Sequence, residues 1–130
     1  MRILVCGGRR YHNSILIWDI LDQIHHKFKI TVLINGGAQG ADLHARNWAR
    51  QYADIEIALY YAQWEKYGRS AGYIRNKQML DQGQPEIVLA FPGGPGTKNM
   101  VDIGQKAGVL VFEIDDDGSF TVIPIELEPL

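Results

Sequence analysis

The chain has 130 residues, 46% hydrophobic and 22% charged, which is typical of one globular domain. Lys and Arg number 13 and Asp and Glu 15, so the net charge is −2 at pH 7 with neutral histidine. Nonspecific nucleic-acid binders usually carry a basic excess, so this balance argues against a nucleic-acid partner. The single cysteine, Cys6, excludes an internal disulfide.

Short apolar runs alternate with longer amphipathic stretches along the chain. The runs predict strands at residues 3–6, 31–34, 55–60, 86–91 and 109–113. The amphipathic stretches predict helices from about 14 to 24, about 41 to 52, 74 to 82 and 97 to 107. Residues 62–72 are read as irregular. An acidic turn at 115–118 precedes an antiparallel edge strand at 120–125.

This alternation predicts a Rossmann-like three-layer α/β/α fold, built as one domain over residues 1–130. Its sheet has about five mostly parallel strands and a C-terminal edge strand. Glycine-rich turns follow three of the strands, at residues 7–8, 36–40 and 93–96. Because ligands bind at the carboxyl ends of parallel strands in such folds, we expect all three turns on one ligand-binding rim.

The segment 92–97 has the features of a phosphate cradle. It lies between a predicted buried strand and a predicted helix start. The glycines allow close backbone approach to an anion, and a helix N-terminus offers unpaired N–H groups. Thr97 can cap the helix or donate its hydroxyl to the anion. We therefore predict phosphate binding by Pro92, Gly93, Gly94, Gly96 and Thr97.

The turn after the second strand offers a second set of ligand residues. Gly36, Gly37 and Gly40 are expected to admit the ligand. The turn resembles a dinucleotide fingerprint only loosely, and no acidic residue ends the next strand, so we reject a conventional NAD site. Asp42 is a candidate to contact a sugar hydroxyl, or it simply favours the first turn of its helix.

Cations and aromatic residues are also expected at this rim. Arg9, after Gly7 and Gly8, is a candidate phosphate clamp or a solvated loop residue. Trp64 and Tyr67 are candidates for stacking on a base, or they cover the end of the sheet.

Two neighbouring residues near a helix start complete the candidate site. Arg75 is a candidate phosphate ligand, or the member of a structural ion pair. Asn76 beside it offers both a hydrogen-bond donor and an acceptor.

Four motifs occur in order: GGR at 7–9, GGAxGAD at 36–42, AGxxRNxxM at 71–79 and AFPGGxGT at 90–97. Together they resemble the DUF2493 family, the YspA or cpYpsA-related branch of the SLOG superfamily, over residues 2 to about 113. The last motif is similar to that of the LOG (lysine decarboxylase-like) phosphoribohydrolases, and to the Rossmann-like domain of DprA. The resemblance implies a Rossmann-like fold that binds a nucleotide-derived ligand, and a homodimer or higher oligomer.

The resemblance to the LOG enzymes also implies hydrolysis of an N-glycosidic bond, supported by an arginine and a glutamate. Arg75 matches the arginine, but Met100 stands where those enzymes have the glutamate. A thioether cannot stabilise positive charge on a ribose. Sequence analysis therefore favours a binding or sensing domain. A nucleotide hydrolase using Asp42 or Glu65 is the alternative.

Other function classes have little support in the sequence. No apolar run reaches the ~18–20 residues of a membrane span, and the N-terminal run is too short for a secretory signal. We expect a cytoplasmic protein with no membrane partner. The four histidines are not spaced as zinc ligands, and the acidic turn lacks calcium-loop spacing. We therefore expect neither a metal ligated by the protein nor a cofactor.

Overall fold

The computed structural model describes residues 1–125 as a six-stranded sheet with helices on both faces. The strands are β1 (Arg2–Cys6), β2 (Val32–Asn35), β3 (Glu56–Leu59), β4 (Ile87–Ala90), β5 (Leu110–Ile114) and β6 (Phe120–Ile123). The helices are α1 (Ser14–Phe28), α2 (Ala41–Ala49), α3 (Trp64–Tyr67), α4 (Ala71–Gly83) and α5 (Pro95–Lys106). A 3₁₀ turn at Gly68–Ser70 joins α3 to α4.

The strand order is β3-β2-β1-β4-β5-β6, with β1 to β5 parallel and β6 antiparallel to β5. The predicted Rossmann-like fold class is confirmed. The chain builds the sheet outward from β1 to β3, then crosses back to place β4 on the other side of β1. This reversal opens a crevice at the carboxyl ends of β1 and β4.

The central strands are continuous apolar runs because helices cover both of their faces. Alternate residues point to opposite faces of a strand. In β1, Ile3 and Val5 pack in the core beneath α1 and α2. Leu4 and Cys6 pack on the other face, with α4 and α5. Two cores thus hold β1 and β4 rigidly beneath the crevice.

The two helices nearest the crevice begin earlier than the sequence predicts. Helix α4 begins at Ala71 instead of residue 74, and α5 begins at Pro95 instead of Thr97. Gly72 and Gly96 look like turn residues in the sequence, yet both lie in the first turn of a helix. Proline suits the first helical position because its φ is preset and its missing N–H needs no partner there.

The segment 62–72 is more ordered than the predicted irregular stretch. It contains the short helix α3, the 3₁₀ turn and the first residues of α4. Trp64 therefore lies on α3 and Tyr73 on the first turn of α4, both near the carboxyl ends of the strands.

Within residues 1–125 no helix is long and apolar enough to cross a membrane.

Candidate functional site

The three glycine-rich loops meet at the carboxyl ends of the strands, and Gly8 joins them. The Gly8 N–H donates to Pro92 O at 2.8 Å, in the loop after β4. The Gly8 carbonyl accepts from the Ala41 N–H at 3.2 Å, at the start of α2, and from the Tyr11 N–H at 3.1 Å. The prediction that the three glycine-rich turns lie together on one rim of the sheet is confirmed.

Several of the glycines are required by the packing of these loops against one another. A Cβ at Gly7 would lie 2.6 Å from Ala41 Cβ, and one at Gly93 would lie 2.7 Å from Gly8 N. Gly40 has φ of +71°, and a Cβ there would collide with the Gly8 carbonyl. These glycines are explained by protein packing alone.

Gly94 and Gly96 differ from the other loop glycines. A Cβ at either position would meet no atom within 4 Å, so both border open space. Neither has a positive φ that would require glycine. The packing of the protein therefore does not account for glycine at these two positions.

A cavity of about 460 Å³, here called the first cavity, lies between the β1 loop, α4 and the N-terminus of α5. Of the predicted residues it is lined by Gly7, Gly8, Arg9, Asp42, Trp64, Arg75, Asn76, Gly94, Gly96 and Thr97. Gly36 and Gly37 line an adjoining cavity of about 450 Å³, the second cavity. Pro92 and Gly93 line a third, of about 360 Å³, together with Gly94 and Thr97. Gly40 and Tyr67 lie outside all three.

Arg75 joins α4 to the loops that follow β2 and β3. Its Nη1 donates to Gly36 O at 3.0 Å and Tyr60 O at 3.4 Å, and its Nε donates to Asn76 Oδ1 at 3.1 Å. Within residues 1–125 it forms no ion pair, and its Nη2 has no hydrogen-bond partner. The guanidinium is thus held by two backbone carbonyls and by the Asn76 side chain.

Asp42 is buried and anchors the loop after β2. Its Oδ2 accepts hydrogen bonds from the N–H groups of Gly36, at 3.1 Å, and Ala38, at 3.2 Å. Neither sequence interpretation of Asp42 anticipated this role. Its Oδ1 accepts no hydrogen bond from residues 1–125, and the residue lines the first cavity. Burial raises the pKa of this carboxyl, against the hydrogen bonds and the nearby arginines that lower it.

Asn76 is buried and fastens α4 to the start of α5. Its Nδ2 donates to Gly96 O at 3.1 Å and to Asn99 Oδ1 at 3.0 Å, while its Oδ1 accepts from Arg75 Nε. The side chain therefore positions both Arg75 and the helix N-terminus that lines the first cavity.

The aromatic side chains at the rim have different surroundings. Arg9 lies over the Trp64 ring, with its Cζ 5.4 Å from the ring centroid, and both line the first cavity. Tyr67 is instead covered by Lys66, whose Nζ lies 5.0 Å from the ring centroid.

Sequence reasoning missed Tyr73 and Tyr61, which line the first and second cavities respectively. Tyr73 lies in the first turn of α4. The sequence does not reveal this position, because the predicted helix begins one residue later, at residue 74. Tyr61 lies two residues after the end of β3. Because ligands bind at the carboxyl ends of parallel strands, this position in the sequence could have identified it.

The charge lining the first cavity is mainly positive. Three arginines, Arg9, Arg69 and Arg75, line it, against the single carboxyl group of Asp42. Burial lowers the pKa of Arg75, as does neighbouring Arg9, while Asp42 raises it. An anionic ligand would relieve the repulsion among these cations.

The surroundings of Met100, Glu65 and Cys6 bear on whether the site has the groups that a nucleotide hydrolase would need. Met100 is fully buried in the core shared with Leu4 and Val88, so its position faces the sheet. Glu65 lies outside the first cavity. Burial, and to a lesser degree Asp42, raises the pKa of the Cys6 thiol in the cavity wall, which keeps it protonated at neutral pH.

These features define a Rossmann-like α/β domain with an arginine-lined cavity at its strand-order reversal. The family model described as YspA, cpYpsA-related SLOG family matches residues 1–67. The "Gene 61 protein" of Mycobacterium phage D29 is 35% identical over 122 residues, covering 88% of this chain and 97% of that protein. No solved structure matches significantly. The chain belongs to the YspA, cpYpsA-related SLOG family, as its motifs predicted.

The two kinds of loop glycine should respond differently to alanine. Gly40→Ala introduces a Cβ at positive φ against the Gly8 carbonyl and should lower the free energy of unfolding by about 1–3 kcal/mol. Gly96→Ala fills open space in a helical turn and should change it by less than about 1 kcal/mol. Urea unfolding measures both values, and equal losses would contradict the distinction.

The buried carboxyl should make stability depend on pH. Because burial raises the pKa of Asp42, the folded state keeps this proton to a higher pH than the unfolded chain does. The stabilisation from this proton is complete below the pKa that Asp42 has in the unfolded chain. It is lost as the pH rises through the pKa that Asp42 has in the folded protein. Asp42→Asn retains an acceptor oxygen and removes the titration.

Urea unfolding of both proteins from acidic to neutral pH measures this effect. The free energy of unfolding of the wild type, relative to Asp42→Asn, should fall as the pH rises. A difference that does not change with pH would show that the pKa of this carboxyl is unshifted.

Proposed function

We propose that the protein binds a nucleotide or nucleotide derivative in the first cavity and acts as a ligand-binding, sensing domain. One observation carries the proposal: the N-terminus of α5, with Gly94, Gly96 and Thr97, lines the same cavity as Arg75, whose Nη2 has no hydrogen-bond partner within residues 1–125. A helix N-terminus and a guanidinium on one cavity wall are complementary to a phosphate group.

The first turn of α5 supplies the phosphate donors in this proposal. Pro95 has no N–H, and the first amide of this turn to bond within the helix is that of Lys98, which donates to Gly94 O at 3.1 Å. The amides of Gly96 and Thr97 have no partner within residues 1–125 and are therefore available to a ligand. A phosphate oxygen can approach them closely because no Cβ stands at positions 94 and 96.

Other residues that line the cavity suit the remainder of a nucleotide. Asp42 is a buried residue of the cavity wall, and its Oδ1 accepts no hydrogen bond within residues 1–125, so a ligand hydroxyl can donate to it. Trp64 and Tyr73 are each 49% exposed and offer rings for a base to contact. A sugar near Asp42 and a base near these rings would leave the phosphate at α5.

A second candidate function is hydrolysis of the N-glycosidic bond of a nucleotide. The observation that favours it is the Asp42 carboxyl, which lines the cavity beside Arg75 and has a raised pKa. Met100 and Glu65 offer no second carboxylate there. Glycoside hydrolysis generally uses two carboxyl groups, so binding without turnover is the function that the site supports better.

Calorimetric titration with inorganic pyrophosphate and AMP tests the proposed binding, with Gly94→Asp as the variant. Position 94 has room for a side chain and no positive φ, so this variant should fold and repel phosphate. We expect at least about a tenfold loss of affinity, the equivalent of roughly 1.4 kcal/mol.

Ala53→Asp adds the same charge at an exposed turn outside the cavity and is the matched control. It should bind as the wild type does. If the wild type binds neither compound at millimolar concentration, the proposed function is wrong.

Chromatography of the nucleotide after incubation separates the two candidate functions. Recovery of intact AMP supports binding alone. Release of free base that is lost in Asp42→Asn would establish the hydrolase instead, because the variant retains the loop hydrogen bonds but has no ionisable carboxyl.

A further inference from the structure

The second cavity directly adjoins the first, and the proposed function does not account for it. It has a volume of about 450 Å³ and is lined by residues 36–39, Tyr61 and Ala62, among others. Arg9, Ala38, Trp64 and Arg75 line both cavities. Each cavity alone falls within the ~300–1,000 Å³ of small-molecule sites.

Two exposed aromatic residues, Tyr61 and Trp64, line the second cavity. Tyr61 is 63% exposed, and its ring packs on Gly37, where a Cβ would collide with it. Gly37 has φ of +70°, so the backbone at this contact is one that favours glycine. An exposed ring held in place in a concave surface is a platform for another planar ring.

Positive charge lies where the two cavities join. Arg9 and Arg75 are the cations common to both linings, and Arg9 rests on Trp64 at 5.4 Å. A cation–π contact at an exposed site is weak, so a phosphoryl group can draw Arg9 away and uncover the Trp64 ring. The residues common to both cavities therefore include two cations and Trp64, with Tyr73 on the side of the first cavity and Tyr61 on the side of the second.

A ligand with its charge in the middle and rings at its ends matches this distribution. We propose that the second cavity binds a second planar ring, and that the ligand has two nucleoside halves joined by a pyrophosphate. The pyrophosphate would run from the α5 N-terminus to Arg9 and Arg75. This inference rests on the proposed function, which concerns the first cavity alone.

Calorimetric titration of the full chain with AMP, inorganic pyrophosphate and diadenosine pyrophosphate tests the inference. We expect diadenosine pyrophosphate to bind at least about tenfold more tightly than AMP, the effect of one further stacked ring. Tyr61→Ala should remove that advantage and leave the affinities for AMP and pyrophosphate unchanged. Tyr61→Phe, which keeps the ring, should bind as the wild type does.

Phe28→Ala is the matched control, because Phe28 is also an exposed ring, 55% accessible, at the far end of α1. It should leave all three affinities unchanged. Equal binding of AMP and diadenosine pyrophosphate would overturn the inference, as would a Tyr61→Ala variant that weakens both ligands equally. Failure of all three compounds to bind would instead overturn the proposed function, and this inference with it.

Discussion

The Gly8 peptide hydrogen-bonds in two directions, to Pro92 O after β4 and to the Ala41 N–H at the start of α2. These contacts draw together loops from three separate strands, and a side chain at position 8 would press against Pro92 O at 3.0 Å. The β1 loop is thereby fixed between the other two, and the position of Arg9 and the wall of the first cavity depend on it.

A second set of contacts sets the charge of the site. Asp42, Arg75 and Asn76 are partly or wholly buried, and each uses some of its polar atoms to hold a loop or a helix end. Burial is unfavourable for the charged forms of Asp42 and Arg75 and shifts the pKa of each. Their remaining atoms, Asp42 Oδ1 and Arg75 Nη2, have no hydrogen-bond partner within residues 1–125, and both residues line the first cavity.

Much of this arrangement follows from the sequence. Apolar runs with glycine-rich ends predict the parallel strands and a common rim, because period and turn chemistry are local properties. The sequence does not separate Gly40, which protein packing requires, from Gly96, which borders open space. That difference depends on contacts with Gly8 and Arg9, over 30 residues away in the chain. The sequence also does not predict that Asp42 accepts hydrogen bonds from the Gly36 and Ala38 amides. It indicates only a contact with a sugar hydroxyl or an electrostatic effect on the first turn of α2.

Every proposed contact with a ligand depends on phosphate binding at the start of α5 beside Arg75. Amide chemical-shift mapping during titration with inorganic pyrophosphate tests it most directly. We expect saturable shifts at Gly94, Gly96 and Thr97 and at the Arg75 side chain, with little change at the groove between α1, β5 and β6. Shifts confined to other surfaces, or no shifts at millimolar pyrophosphate, would contradict phosphate binding at α5. The glycine-rich loops would then serve only to pack against one another.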